Sequence, residues 1–278
     1  MSWAIPARGG PAVNYKSPDE LLTELGIDEP HEIQLEAIAQ YCGATVLYEY
    51  LEGCEARILG NGDRAIISVN KNSMSERQRF SAGHELGHWM CDRGKIAFAC
   101  TKKTIATAWF EDNPERRANQ FAVELLLPAR MFCPRVENRD VTLETAKLIC
   151  GVFKTSLTAT AIRLVELGSY PALVVCYDTN GRKWYRLGPE VPKAFKPRKQ
   201  LHKNTVAFEL LHKPESDAGR PEVVGAEAWF DVPGSENYEV IESALRMSDG
   251  MTLSVVWWKN QKQLSDFSEE EQPTEPRD

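Results

Sequence analysis

The chain has 278 residues, 42% of them hydrophobic and 26% charged, with a formal net charge of −7 at pH 7; this suffices for one good core and a smaller second one and excludes a general affinity for nucleic acid, though not local basic patches. No apolar run approaches about 18 residues and the start of the chain lacks a basic stretch followed by an apolar one, so neither a membrane span nor a secretory signal is expected. The seven cysteines (42, 54, 91, 100, 133, 150 and 176) are odd in number and scattered, as for reduced thiols in a cytoplasmic protein, and the lack of any CxxC pair excludes a zinc ribbon.

In chain order, residues 18–25 and 29–41 read as helices, followed by strands near 45–50, 56–59 and 65–70. Ser75-Glu76-Arg77-Gln78 then has the form of a capping box with Ser75 as N-cap. From there to Cys91 no proline interrupts, and Phe80, Gly83, Leu86, Gly87 and Met90 fall at helical spacings. On this helix lies His84-Glu85-Leu86-Gly87-His88. Positions i and i+4 project from one helix face about one turn apart, so two imidazoles can reach one Zn²⁺ while Glu85 sits beside the water that the ion binds. Zinc lowers the pKa of such a water to roughly 7. Glu85 would accept its proton and hand it to a leaving amine, which is the chemistry of peptide-bond hydrolysis. The strand at 65–70 is expected to be an edge strand beside this helix, suited to holding an extended peptide by backbone hydrogen bonds.

Residues 92–113 form a long connection with little periodicity, and Cys100 lies within it. A thiolate delivered by such a loop can occupy the open position of a catalytic zinc; the plain alternative is a buried cysteine. Cys91 roughly shares the face of His84 and is expected to pack in the core. After the connection, Ala118, Phe121, Ala122, Leu125 and Leu126 form an apolar stripe at i, i+3, i+4, i+7 and i+8, bounded by Pro114 and Pro128, and so define a second buried helix. A third zinc ligand is needed. Glu115 falls on the stripe side at the helix start, whereas Glu124 lies off the stripe; spacing leaves Glu115 open between metal ligation and a favourable carboxylate at a helix N-terminus.

Helices follow at 143–153 and 156–167. The pair could be a DNA-binding helix-turn-helix, but the match is loose, and completion of the N-terminal core is the preferred reading. Gly168-Ser169-Tyr170-Pro171 marks a domain boundary, giving domains at 1–168 and 169–262 and an acidic, disordered tail at 263–278. The second domain reads as β-rich, with strands at 172–177 and 183–187 around the hairpin signal Asn180-Gly181. Further strands are expected at 206–211, 223–230 and 252–258, while 238–247 is undecided between helix and strand. Lys193, Lys196, Arg198, Lys199 and Lys203 surround Phe195 in a basic run after Trp184 and Tyr185. Such a run binds single-stranded nucleic acid when it forms a groove with stacking rings, and is otherwise a solvated loop. Adjacent strand residues face opposite ways, so one of Trp257 and Trp258 is expected to be exposed.

Arg77-Gln78-Arg79-Phe80 leading into His84-Glu85-Leu86-Gly87-His88-Trp89, followed by Glu115-x-x-Ala118-Asn119-x-Phe121-Ala122-x-x-Leu125-Leu126-x-Pro128, resembles the ImmA/IrrE family of zinc peptidases over roughly residues 18–168. Leu127 stands where the family often has methionine, an apolar exchange without catalytic consequence. The resemblance implies an α+β fold with a gluzincin-like core and a helical extension, Zn²⁺ on His84, His88 and Glu115, and Glu85 as general base. It also implies a helix-turn-helix transcriptional repressor as substrate. The β-rich half is similar to the GAF-like sensory modules of some members. The CapP-like branch, associated with bacterial anti-phage operons, implies in addition a cysteine switch on zinc and activation by single-stranded DNA. The alternative is a non-catalytic, DNA-responsive regulator with a structural zinc site; a structural site needs no base, so Glu85 argues against it. An aminopeptidase is disfavoured because no acidic exopeptidase signature accompanies the motif.

Overall fold

A computed structural model describes residues 16–92, 98–101, 114–213, 220–247 and 250–270, with backbone alone at 98–101 and 268–270. The chain divides into two compact units after Pro128. In the first, α1 (Pro18–Glu24) opens on a capping box formed by Ser17 and Glu20. The single helix expected at 29–41 is broken. A 3-10 turn at Pro30–Glu32 precedes α2 (Leu35–Tyr41), because the Glu32 carboxylate accepts from the backbone N–H groups of Asp28 and Glu29 at 2.9 Å and closes the turn on itself.

Strands β1 (Ala44–Glu49), β2 (Cys54–Asn61), β3 (Arg64–Asn70) and β4 (Phe98–Thr101) form a sheet in the order β1-β3-β2-β4. β3 is parallel to β1 and antiparallel to β2. The strand at 65–70 is therefore internal, not an edge, and both of its hydrogen-bonding sides are already used. Among the described residues, the edges are β1 and β4.

Helix α3 (Ser75–Asp92) lies on this sheet, and α4 (Pro114–Leu126) packs against α3. The helix begins at Ser75 itself: its hydroxyl bonds the Glu76 carboxylate at 3.0 Å, while the Gln78 amide donates to the Asn70 carbonyl at 3.1 Å and ties the helix start to the end of β3. At the other end, Trp89 Nε1 donates to the Cys42 carbonyl at 2.8 Å. The two helices approach closely at small residues. A Cβ added at Gly87 would stand 2.8 Å from both Cα and the carbonyl oxygen of Ala118, and one at Gly83 would stand 3.4 Å from Ala122 Cβ. Only glycine at 87 permits this crossing, which brings the histidine face of α3 against the first turn of α4.

The second unit holds α5 (Ala129–Val136), α6 (Leu143–Phe153) and α7 (Leu157–Leu167), with an antiparallel sheet of β5 (Ala172–Asp178), β6 (Gly181–Leu187), β7 (Glu222–Gly225), β8 (Glu239–Arg246) and β9 (Thr252–Trp257) in the order β6-β5-β9-β8-β7. The helix pair α6 and α7 packs on a face of this sheet, and the Leu143 N–H donates to Ser243 Oγ at 3.0 Å. Among the described residues no single helix is long and apolar enough to cross a membrane; α6 and α7 pass that test only as a pair bent by 112°.

Residues 206–211, expected as a strand, belong to α8 (Val206–His212). Two residues of one strand clamp this helix at its ends. Glu242 accepts from the N–H groups of Val206 and Ala207 at 2.9 and 2.8 Å, and Arg246 donates to the carbonyls of Leu210 and Lys213. These bonds satisfy N–H groups at the start of the helix and carbonyls at its end that have no partner within it, so a tertiary contact overrides the strand-like pattern. The undecided segment is the strand β8, and 223–230 is a strand only as far as Gly225. The start of the expected disordered tail is helical: α9 (Lys262–Glu270) buries Leu264 and sets Phe267 5.1 Å from the Phe195 ring. Residues 271–278 lie outside the described residues. Trp257 and Trp258 are both buried, because each face of β9 is covered. Trp257 meets Tyr170, and Trp258 stacks on Phe230 while its Nε1 donates to Gln263 at 2.8 Å.

Burial of Glu242 pushes its carboxyl from the ordinary 4.5 up to about 7, against the opposing hydrogen bonds from Ala207, Val206 and Trp229. Between those two values the folded chain binds a proton that the unfolded chain has released, so this group's contribution to stability falls as pH rises from 4.5 to 7 and is flat outside that window. We expect wild type to lose on the order of 3 kcal/mol relative to Glu242→Gln across the window, read as the difference in urea midpoints at pH 5 and pH 7.5. Parallel pH profiles of the two proteins would refute it.

Candidate metal centre

Helix α3 carries His84 and His88 one turn apart on a buried face, and Glu115 enters from the first turn of α4. The three side chains converge. His84 Nε2 is 3.1 Å from His88 Nε2 and 3.3 Å from Glu115 Oε2, and His88 Nε2 is 3.4 Å from Glu115 Oε1. Ligands held at about 2.0–2.1 Å around a tetrahedral Zn²⁺ stand about 3.3 Å apart, so this donor set fits the ion in spacing and in chemistry. The imidazoles of His84 and then His88 beside it hold the Glu115 carboxyl well below the usual carboxylate range, which keeps it anionic. Glu124 points elsewhere, accepting from Gln120 at 2.9 Å. Glu85, next in sequence to His84, is fully buried. The Phe80 ring stacks 6.4 Å from that of His84 and forms a wall of the site.

Three further residues complete the surroundings, and none was singled out by sequence reasoning as a site residue. Asn119, fully buried one turn after Glu115, has its Oδ1 2.9 Å from His84 Nδ1. Asp92, one turn after His88, places Oδ2 3.8 Å from His88 Nδ1. Arg117 on α4 donates to Asp92 Oδ1 at 2.6 Å. The signal was present as spacing: Asp92 continues the His84, His88 series by four residues, and Asn119 follows Glu115 by four.

The remaining candidates fare differently. The backbone of Cys100, on β4, pairs with Ala56 of β2, so it lies on a strand and not in an irregular loop; its side chain lies outside the described residues. Lys193, Lys196, Lys199 and Lys203 are exposed on the second unit. Arg198 is committed internally: its guanidinium donates to the carbonyls of Glu227 and Phe230 at 2.9 and 3.3 Å. Phe195 is buried against Phe230 and Trp258, so it offers no ring for stacking bases.

An α+β architecture with two histidines and a glutamate at tetrahedral spacing on adjacent helices defines the class: a protein with a candidate three-residue metal centre. Residues 39–165 match the peptidase M78 model, described as the IrrE N-terminal-like domain, so this segment is similar to the ImmA/IrrE family. That family relates the centre to metallopeptidases. A Mycobacterium tuberculosis transcriptional regulator shares the fold, with a TM-score of 0.60 over 93% of this chain and 80% of that one, at 14% identity. No curated protein matches the chain.

Proposed function

We propose that the chain is a zinc-dependent endopeptidase with a gluzincin-like core on residues 1–168 and a GAF-like sensory domain beyond it, acting in the cytoplasm on a helix-turn-helix transcriptional repressor. One observation carries this reading: three metal donors 3.1–3.4 Å apart, in an IrrE-like segment, with the buried Glu85 beside the first of them. A zinc ion held there by His84, His88 and Glu115 would supply Lewis acidity and make a water acidic enough to be deprotonated near neutral pH. His84 and His88 present neutral Nε2 atoms, and Glu115 brings the compensating negative charge. Glu85 would take the proton of an attacking water and return it to the leaving amine. β4, with only β2 as a described neighbour, offers the free strand side that an extended peptide needs, a role that the internal β3 cannot fill. Transcriptional control as the setting draws support from the family and from the fold shared with a transcriptional regulator.

For control, we propose that Cys100 ligates the zinc in a resting state and that single-stranded DNA, read by the second domain, withdraws it. Lys193, Lys196, Lys199 and Lys203 are the cations offered to phosphate, with Arg198 reserved for the fold. The test is cleavage of a helix-turn-helix repressor by the full-length, zinc-loaded protein, with and without single-stranded DNA and chelator. The expected result is cleavage that DNA stimulates, chelation stops and Cys100→Ser renders independent of DNA. Absence of cleavage by Cys100→Ser with every addition would defeat the peptidase reading. Cleavage by wild type that ignores DNA would leave that reading standing and remove the switch.

A further inference from the structure

We infer that Asn119 is a positioning residue of the metal centre: its amide oxygen locks His84 in the tautomer whose Nε2 lone pair faces the ion. The inference rests on the zinc reading above but makes a separate claim. Asn119 shares a face of α4 with Glu115, so one helix supplies both a ligand and the group that orients another ligand. The 2.9 Å contact to His84 Nδ1 can be made by either end of the amide, and only one end is compatible with metal. With the NH₂ toward the ring, Nδ1 would accept and the ring proton would sit on Nε2. That proton would point into the space between His88 Nε2, at 3.1 Å, and Glu115 Oε2, at 3.3 Å, where an ion belongs. With the oxygen toward the ring, Nδ1 donates and Nε2 is free to ligate.

The bland alternative is that Asn119 merely fills a gap between α3 and α4. Its surroundings argue otherwise. The residue is fully buried, and its Nδ2 has no hydrogen-bond partner among the described residues. A buried amide donor without an acceptor is unfavourable, and leucine, close to it in size, would fill the space without that cost. A residue kept for packing would not carry the penalty, whereas one kept for its oxygen must. His88 is served differently, since Asp92 stands at 3.8 Å, beyond hydrogen-bond distance.

The test is zinc affinity of the full-length protein, measured by competition with a chromogenic chelator, together with imidazole ¹⁵N NMR of the metal-free protein. Asn119→Leu should bind zinc about 10–100-fold more weakly, with the His84 ring changing from a single Nδ1–H form to a tautomer mixture. Asn119→Asp, which keeps an acceptor, should restore both affinity and tautomer; a purely structural role would not move the ring signals. A leucine variant with wild-type affinity and a pure Nδ1–H ring overturns the inference and leaves the zinc reading intact. If wild type itself fails to bind zinc, that reading falls, and the ring signals alone judge Asn119. Should the leucine variant not fold, Asn119→Ala carries the same comparison.

Discussion

Glu85→Gln should keep its zinc and lose peptide hydrolysis by about 10³-fold, within the range that a positioned general base contributes. The substitution replaces one carboxylate oxygen by NH₂ at nearly constant size, so the buried side chain still fits the helix interior. The amide can hydrogen-bond a water but cannot accept its proton. Because Glu85 is not one of the three converging donors, metal content should be unchanged. Metal analysis alongside a cleavage assay separates the two effects. A glutamine variant that cuts the repressor at the wild-type rate would show that this carboxylate is not the base.

Glu115→Ala should lose zinc far more severely than any change outside the ligand set. Outer-shell substitutions cost about 10–100-fold in metal affinity, and removal of one of three ligands should exceed the upper end of that range. The loss also strips the only negative charge from the donor set, leaving two imidazoles 3.1 Å apart around a dication. Glu124→Ala is the matched control. It lies on the same helix but is engaged with Gln120, so its metal stoichiometry should be that of wild type. Full occupancy in Glu115→Ala, with loss in Glu124→Ala, would reverse the ligand assignment.

Several elements were legible in the order of residues alone, because the physics that forms them is local. The helical periodicity from Phe80 to Met90 placed His84 and His88 on one face, and the structure has them there on α3. The first three strands of the first sheet lie within a residue or two of where alternation put them, whereas β4 falls in the connection that showed little periodicity. Where local pattern misled, a distant partner had overruled it. Val206 to His212 has the apolar content of a strand, yet Glu242 and Arg246 hold its two ends as a helix from a strand more than 30 residues away. The start of the acidic C-terminal segment reads as solvated, until Leu264 and Phe267 meet the core around Phe195 and Trp258.

The site divides along the same line. Sequence by itself determined the two histidines and the glutamate between them, since one helix turn sets their relation whatever the rest of the chain does. The choice of Glu115 over Glu124, the Asn119 bond to His84 and the bridge from Arg117 to Asp92 were decided only by the tertiary structure. Each joins two helices separated by a long connection, and which residues of α4 meet α3 depends on how closely the helices can approach at Gly87 and Ala118. No periodicity within either helix encodes that crossing.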